Sequence, residues 1–244
     1  MGDFMQRNIL YGKKLVVCGD SFTQGDFTGF VDENGLQGQD SPVIFDQKRQ
    51  MYKTYPWWIA ERNDMELINE ALCGSTMALT KAYLADPENN DISYRQPFAL
   101  ERYKKVPLDA DYILLQFGLN DMRNTYLGSI DDATNETFYG AFNVVLEYFL
   151  CNMPYAKIGT VISNSGLDRA YQQAIIDVSR KWGIPYLDLH GDNSVQATLK
   201  KGGMCEKAIE LRCKAYQVTE KNMHPNLKAH ELISTAYEAF LRRI

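Results

Sequence analysis

The sequence predicts an α/β protein built on a parallel sheet with helices on both faces. Four short apolar runs, at residues 14–19 (KLVVCG), 111–118 (DYILLQFG), 157–163 (KIGTVIS) and 184–190 (IPYLDLH), are continuous rather than alternating. That is the pattern of strands buried on both sides. Helical periodicity lies between them, and strands alternating with helices make parallel βαβ units.

In chain order, the first run ends at Gly19-Asp20-Ser21. A helical stretch near residues 55–62 leads into a weaker fifth strand at 65–72 (MELINEAL). After the 111–118 strand, Phe138, Phe142, Val145 and Phe149 form one apolar stripe at helical spacing. Tyr171, Ala174, Ile175, Val178 and Trp182 form a second, with Asp168 placed as N-cap and Gly183 and Pro185 as the stop. A short helix is expected near 205–216. Ala229, Leu232, Ile233, Ala236 and Phe240 form the last stripe, with Asn226 as its cap. Trp57 and Trp58 head a helical stripe and are expected in the core. His230 falls on the flank opposite the last stripe and is expected in solvent; His190 ends the 184–190 strand.

The 244 residues suit one domain, 1–244. Two polar stretches, near 24–53 and 191–223, interrupt the alternation and read as insertions that shape the mouth of a site. The net charge of −5 argues against nucleic acid or an anionic membrane as the main partner. No run of ~18 apolar residues and no signal-peptide pattern occurs, so a soluble, cytoplasmic protein is expected. The five cysteines include no CxxC pair; with Cys18, Cys73 and Cys151 in apolar runs, buried reduced thiols are expected, and neither a disulfide framework nor a metal site.

Ligands of such sheets bind beyond the carboxyl ends of the strands. After the first strand stands Gly19-Asp20-Ser21, which can present a hydroxyl at the sheet edge or serve as a plain turn. After the weak strand stands Cys73-Gly74-Ser75-Thr76, where Gly74 can turn its N–H toward an oxyanion, or Ser75 and Thr76 can cap a helix. After the 111–118 strand stand Asn120 and Asp121, an amide donor or an Asx turn. Near the end, Pro225 biases His224 toward extended backbone, which projects the imidazole from a loop before the last helix.

No one of these motifs is specific. Their order (GDS, Gly-Ser, GxND, then His-Pro before the last helix) resembles the SGNH (GDSL-type) hydrolases over most of the chain. The resemblance implies a flavodoxin-like three-layer α/β/α sandwich around a parallel five-stranded sheet. It implies Ser21 as nucleophile, His224 as general base, and an oxyanion hole of the Ser21 N–H, the Gly74 N–H and the Asn120 side chain. It implies an acyl-enzyme with no metal and no organic cofactor.

The sequence departs from the family at one point. An aspartate three residues before the histidine is the family pattern; Lys221 stands there, and lysine accepts no hydrogen bond. Three readings follow: Glu220 reaches the imidazole, a backbone carbonyl orients it as a dyad, or the site is weakened. The expected activity is hydrolysis of small acyl esters, with O-acetyl groups of carbohydrates preferred because the 24–53 insertion is polar and carries Tyr52. A lipid-directed lysophospholipase or thioesterase is the second enzyme reading, and a non-catalytic carbohydrate-binding protein on the same fold is the third.

Overall fold

The computed structural model describes residues 8–88, 96–163, 166–191 and 205–244. Its main sheet is β1 (Lys14–Gly19), β4 (Glu66–Asn69), β5 (Tyr112–Gln116), β6 (Lys157–Ile162) and β7 (Tyr186–Asp188), ordered β4-β1-β5-β6-β7. Every pairing in it is parallel. Each strand lies inside the apolar run that predicted it. β5 is the middle strand, flanked by β1 and β6, and all three are buried along nearly their whole length.

Period-2 alternation sends successive side chains to opposite layers. Val16, Cys18, Ile113, Leu115, Ile158 and Ile162 pack with helices α5 (Phe138–Asn152) and α6 (Arg169–Trp182). Leu15, Val17, Tyr112, Leu114 and Val161 pack with α2 (Tyr55–Asn63) and α8 (Leu227–Arg243). The result is a three-layer α/β/α sandwich. Helix ends follow their expected caps: the Asp168 carboxylate accepts from Ala170 N–H, Gly183 closes α6 in the left-handed region, and Asn226 Oδ1 accepts from Ala229 N–H.

α8 is fastened by two aromatic contacts. Tyr237 stacks on Tyr55 of α2 at 3.8 Å between ring centroids. The Phe240 ring occupies the space above Gly159 of β6, where a Cβ would collide with it. Phe240→Ala is therefore expected to cost about 3–5 kcal/mol in urea unfolding. A loss below ~1 kcal/mol would show that this layer packs loosely.

The remaining elements are short: α1 (Ser21–Gln24), a ribbon of β2 (Phe45–Asp46) and β3 (Met51–Tyr52), α3 (Lys81–Ala85), α4 (Asp121–Asn124) and α7 (Glu206–Tyr216). The ribbon and a 3₁₀ turn at Gly38–Asp40 lie in the 24–53 stretch. Of the 191–223 stretch, residues 192–204 lie outside the described residues. Among the described residues, no helix is long and apolar enough to cross a membrane.

Four expectations are corrected. Ser75 and Thr76 cap no helix; α3 begins later and is capped by Thr80. Cys151, near the end of α5, is exposed, and Cys73, in the turn after β4, is half-buried. Trp57 and Trp58 are half-buried rather than core. Trp57 Nε1 instead donates to Asp46 Oδ2 of the ribbon at 2.7 Å. His230 is 1% exposed, since Phe27 of the 24–53 stretch covers the flank of α8 that the sheet leaves open, 6.0 Å from the imidazole.

Burial pushes the His230 imidazole down to about 3. The unfolded chain then binds the extra proton between about pH 6.5 and about 3, so His230 makes stability fall as pH drops through that window. Removing it by His230→Leu is expected to flatten the acid limb of stability by up to ~1.4 kcal/mol per pH unit. Parallel urea titrations of the two proteins at pH 7 and 5 measure the difference.

Candidate active site

β1 delivers Gly19 against its neighbouring strand, where a Cβ would lie 2.9 Å from the Gln116 carbonyl oxygen. The chain then turns at Asp20, whose carboxylate accepts from Phe22 N–H at 3.0 Å, and Ser21 becomes the first residue of α1. The turn is fixed from behind: Thr54 Oγ1 donates to the Thr23 carbonyl at 2.8 Å. Asp20 is buried, and desolvation pushes its carboxyl up to about 7 against the hydrogen bond from Phe22. Ser21 is thereby held at the carboxyl edge of the sheet with its hydroxyl free to turn.

His224 reaches it across 203 residues of sequence. Ser21 Oγ and His224 Nε2 are 2.7 Å apart. The histidine sits on a tight loop closed by the Gln217–Pro225 bridge and by Val218 N–H to the His224 carbonyl at 2.9 Å. Asn226 braces the loop's exit by donating to the Ala215 and Gln217 carbonyls. The Phe22 ring packs 5.3 Å from the imidazole. Burial lowers the His224 pKa below 6.5, and the nearby Asp26 charge offsets part of that, so the ring is neutral at pH 7.

The other ring nitrogen, Nδ1, is 2.7 Å from Asn222 Oδ1. The orientation of that amide follows from its surroundings. Asn222 Nδ2 faces the Asp26 carbonyl at 3.2 Å, Asp26 Oδ1 at 3.1 Å and the Thr28 carbonyl at 3.0 Å, all acceptors. Its oxygen must then face the histidine, where it also accepts from His224 N–H at 3.1 Å. An acceptor on Nδ1 puts the proton there and leaves the Nε2 lone pair for the Ser21 hydroxyl. Asp26 Oδ2 stands 3.7 Å from Nδ1.

Three segments converge beside Ser21. Asn120 Nδ2 donates to the Ser75 carbonyl at 3.0 Å and to Asp20 Oδ2 at 3.5 Å, so both amide hydrogens have acceptors and the bond to Asp20 is the longer one. Cys73 N–H donates to Gln24 Oε1 at 2.6 Å, tying the Gly74 turn to α1. Gly74 has φ +77°, a left-handed conformation that glycine adopts without strain. The Ser21 and Gly74 N–H groups have no partner among the described residues.

Two buried charged groups hold these segments. The Asp121 carboxylate accepts from Met77, Ala78 and Gly118 N–H at 2.9, 3.1 and 3.2 Å, which joins the β5 exit to the chain after Gly74. Desolvation pushes its carboxyl up to about 7 despite those donors. Arg102 Nη1 donates to Ser75 Oγ at 2.7 Å and to the Gln96 carbonyl at 3.1 Å, and Nη2 donates to the Glu70 carbonyl. Among the described residues, no cluster of three or more His, Cys, Asp or Glu side chains could hold a metal ion.

No family model and no curated protein matches the sequence. Solved structures do match its fold. A Lactobacillus plantarum protein is 24% identical, with a TM-score of 0.64 over 96% of this chain and 98% of its own. A Bacteroides uniformis protein named as a GDSL-like lipase is 20% identical, with a TM-score of 0.63 over 96% and 97%. An acetyl xylan esterase from Butyrivibrio proteoclasticus is 17% identical, with a TM-score of 0.51 over 96% of this chain and 64% of its own. The chain has the SGNH/GDSL hydrolase fold.

Set on that fold, Ser21, Gly74, Asn120 and His224 sit at one edge of the sheet, and Ser21 touches His224 directly. Glu220 does not join them. It is exposed, as is Lys221, and the nitrogen it would have to reach is taken by Asn222 Oδ1. A backbone carbonyl does not orient the ring either. Asn222, Asp26 and Arg102 were not singled out from the sequence, and Asp121 only as the last residue of the GxND block. Asn222 stands two residues before His224 and had a local signal, since its side chain closes back on the histidine's own N–H. Asp26 had none, because its place depends on how two distant loops pack.

Proposed function

We propose that the protein is a serine ester hydrolase. The observation that carries this reading is the 2.7 Å contact of Ser21 Oγ with an imidazole nitrogen whose tautomer leaves it free to accept a proton. His224 Nε2 takes the Ser21 proton as Oγ attacks the acyl carbon. The oxyanion of the tetrahedral intermediate receives the Ser21 and Gly74 N–H groups and the Asn120 hydrogen that it draws away from the longer bond to Asp20. The imidazolium returns its proton to the departing alkoxide oxygen, leaving Ser21 acylated. Water then attacks the acyl carbon with His224 again as base, and the acid leaves as Ser21 is restored.

O-acetyl groups on carbohydrates are the substrate class we favour. A cleft of about 280 Å³ begins at Gln24, one helical turn from Ser21. Gln39, Gln50 and Asn69 supply amide groups to it, Phe45 and Tyr52 aromatic rings, and Met51 and Ala71 apolar surface, while the Arg49 guanidinium at its wall is bound to Glu61. Amide groups beside aromatic rings suit a neutral, hydroxyl-rich ligand that can hydrogen-bond and stack. An acetyl xylan esterase on the same fold is consistent with this choice.

Acetate, octanoate and acetylated xylo-oligosaccharide esters compared at equal concentration test both levels. Acetyl release from the oligosaccharide, with acetate preferred over octanoate, is expected. Preference for octanoate would replace the sugar reading by a lipid one. No hydrolysis of any ester, with the oligosaccharide still bound, would make the protein a binding module.

The pH profile is a further expectation. Because burial lowers the His224 pKa, kcat/KM for an activated acetate should be flat near neutrality and fall on an acidic limb centred below 6.5. A limb centred above 6.5 would show a base other than this imidazole.

A further inference from the structure

We propose that Asp26 and Asn222 divide between them the work of a catalytic carboxylate, Asn222 holding the His224 tautomer and Asp26 supplying the charge that stabilises the imidazolium. The inference rests on the reading of Ser21 and His224 as nucleophile and base.

In a serine–histidine–aspartate triad one carboxylate does two things: it accepts the Nδ1 proton, which fixes the tautomer, and it compensates the positive ring formed during acylation. Here the two tasks fall to different side chains. Asn222 Oδ1 accepts from Nδ1 at 2.7 Å but carries no charge. Asp26 Oδ2 carries the charge and stands 3.7 Å from the same nitrogen. The two are joined by Asn222 Nδ2 donating to Asp26 Oδ1 at 3.1 Å, across 196 residues of sequence. The Asp26 carboxylate is itself well provided for. Burial acts against its charge, but hydrogen bonds from Thr28 and Asn222 and the nearby His224 outweigh that and keep it ionised.

Among the described residues, no other charge is paired with the ring. Glu220 and Lys221 on the same loop are exposed and make no ion pair with it. His230, across on α8, is neutral at working pH because burial lowers it to about 3. Asp26 therefore replaces the missing aspartate of the histidine loop from the other side of the site, five residues after the nucleophile. Both are positioning residues, since neither reaches Ser21 or the acyl group.

Asp26→Asn is a clean probe. The new amide keeps an oxygen for Thr28 N–H, which Asp26 Oδ1 accepts at 3.0 Å, and for Asn222 Nδ2, so it removes the charge and replaces the acceptor 3.7 Å from Nδ1 by an NH2 group while leaving those two bonds in place. We expect kcat to fall about 10- to 100-fold, less than the ~10⁴ seen when a directly bonded aspartate is neutralised. KM should stay within about twofold, and the acidic limb should move to lower pH, because the carboxylate raises the imidazole pKa. Asn222→Ala should lower kcat without moving KM. Asn222→Asp added to Asp26→Asn should recover activity by placing a carboxylate directly on Nδ1.

The same variants read without turnover by ¹⁵N NMR of the ring separate the two failures. The wild-type ring should carry its proton on Nδ1, and Asp26→Asn should lower its titration midpoint. An unmoved midpoint, or an unchanged kcat and acidic limb, overturns the inference. A moved midpoint in a protein that hydrolyses no activated ester overturns the esterase reading instead and leaves the Asp26–His224 coupling standing.

Discussion

Ser21→Ala is expected to remove the burst of p-nitrophenolate from p-nitrophenyl acetate and to lower steady-state kcat by about 10⁴-fold or more. The size follows from the chemistry. Without Oγ there is no covalent intermediate, and the Asn120 amide and the two N–H groups can only polarise the carbonyl for direct attack by water. The fold should survive. Ser21 Oγ has His224 Nε2 as its hydrogen-bond partner among the described residues, and the turn is held by Asp20 and Thr54 rather than by the hydroxyl. Thermal unfolding within a degree or two of wild type would confirm that only chemistry was lost. A retained burst would place the nucleophile elsewhere.

His224→Ala should be nearly as costly, because the serine hydroxyl is a weak nucleophile without a base. The more telling measurement is the double variant. Groups that act as one unit lose their function together, so Ser21→Ala/His224→Ala should be no slower than either single change within about threefold. Additive losses would mean that His224 acts on something other than the Ser21 proton. The imidazole loop is kept by its own backbone bonds and by Asn226, so the substitution should leave Ser21 in place.

Much of the fold was legible because it rests on local physics. The continuous runs at 14–19, 111–118 and 157–163 became the three interior strands, whose two buried faces leave no room for alternation. Asp168, Gly183 and Asn226 act within one helical turn of their own positions, and each caps where expected. Ser21, Gly74 and Asn120 were legible for a related reason: in a parallel sheet every strand's carboxyl end lies on one edge, so residues just after strands are neighbours by topology.

His230 was misplaced because periodicity describes one face of a helix, and the opposite flank is buried here by a loop from the other end of the chain. Glu220 was considered for its nearness in sequence to His224, yet the loop's turn sends it outward and brings Asn222 back.

By itself, then, the sequence determined the sheet, its helices and which residues gather at the strand ends, since these follow from hydrophobic period, capping and chain direction. Only the tertiary structure decided what stands behind the base. The loop after Ser21 and the loop before His224 share no local pattern. Their packing alone sets Asp26 against the imidazole and turns the Asn222 oxygen toward it, because a hydrogen-bond partner is chosen by where backbones meet in space.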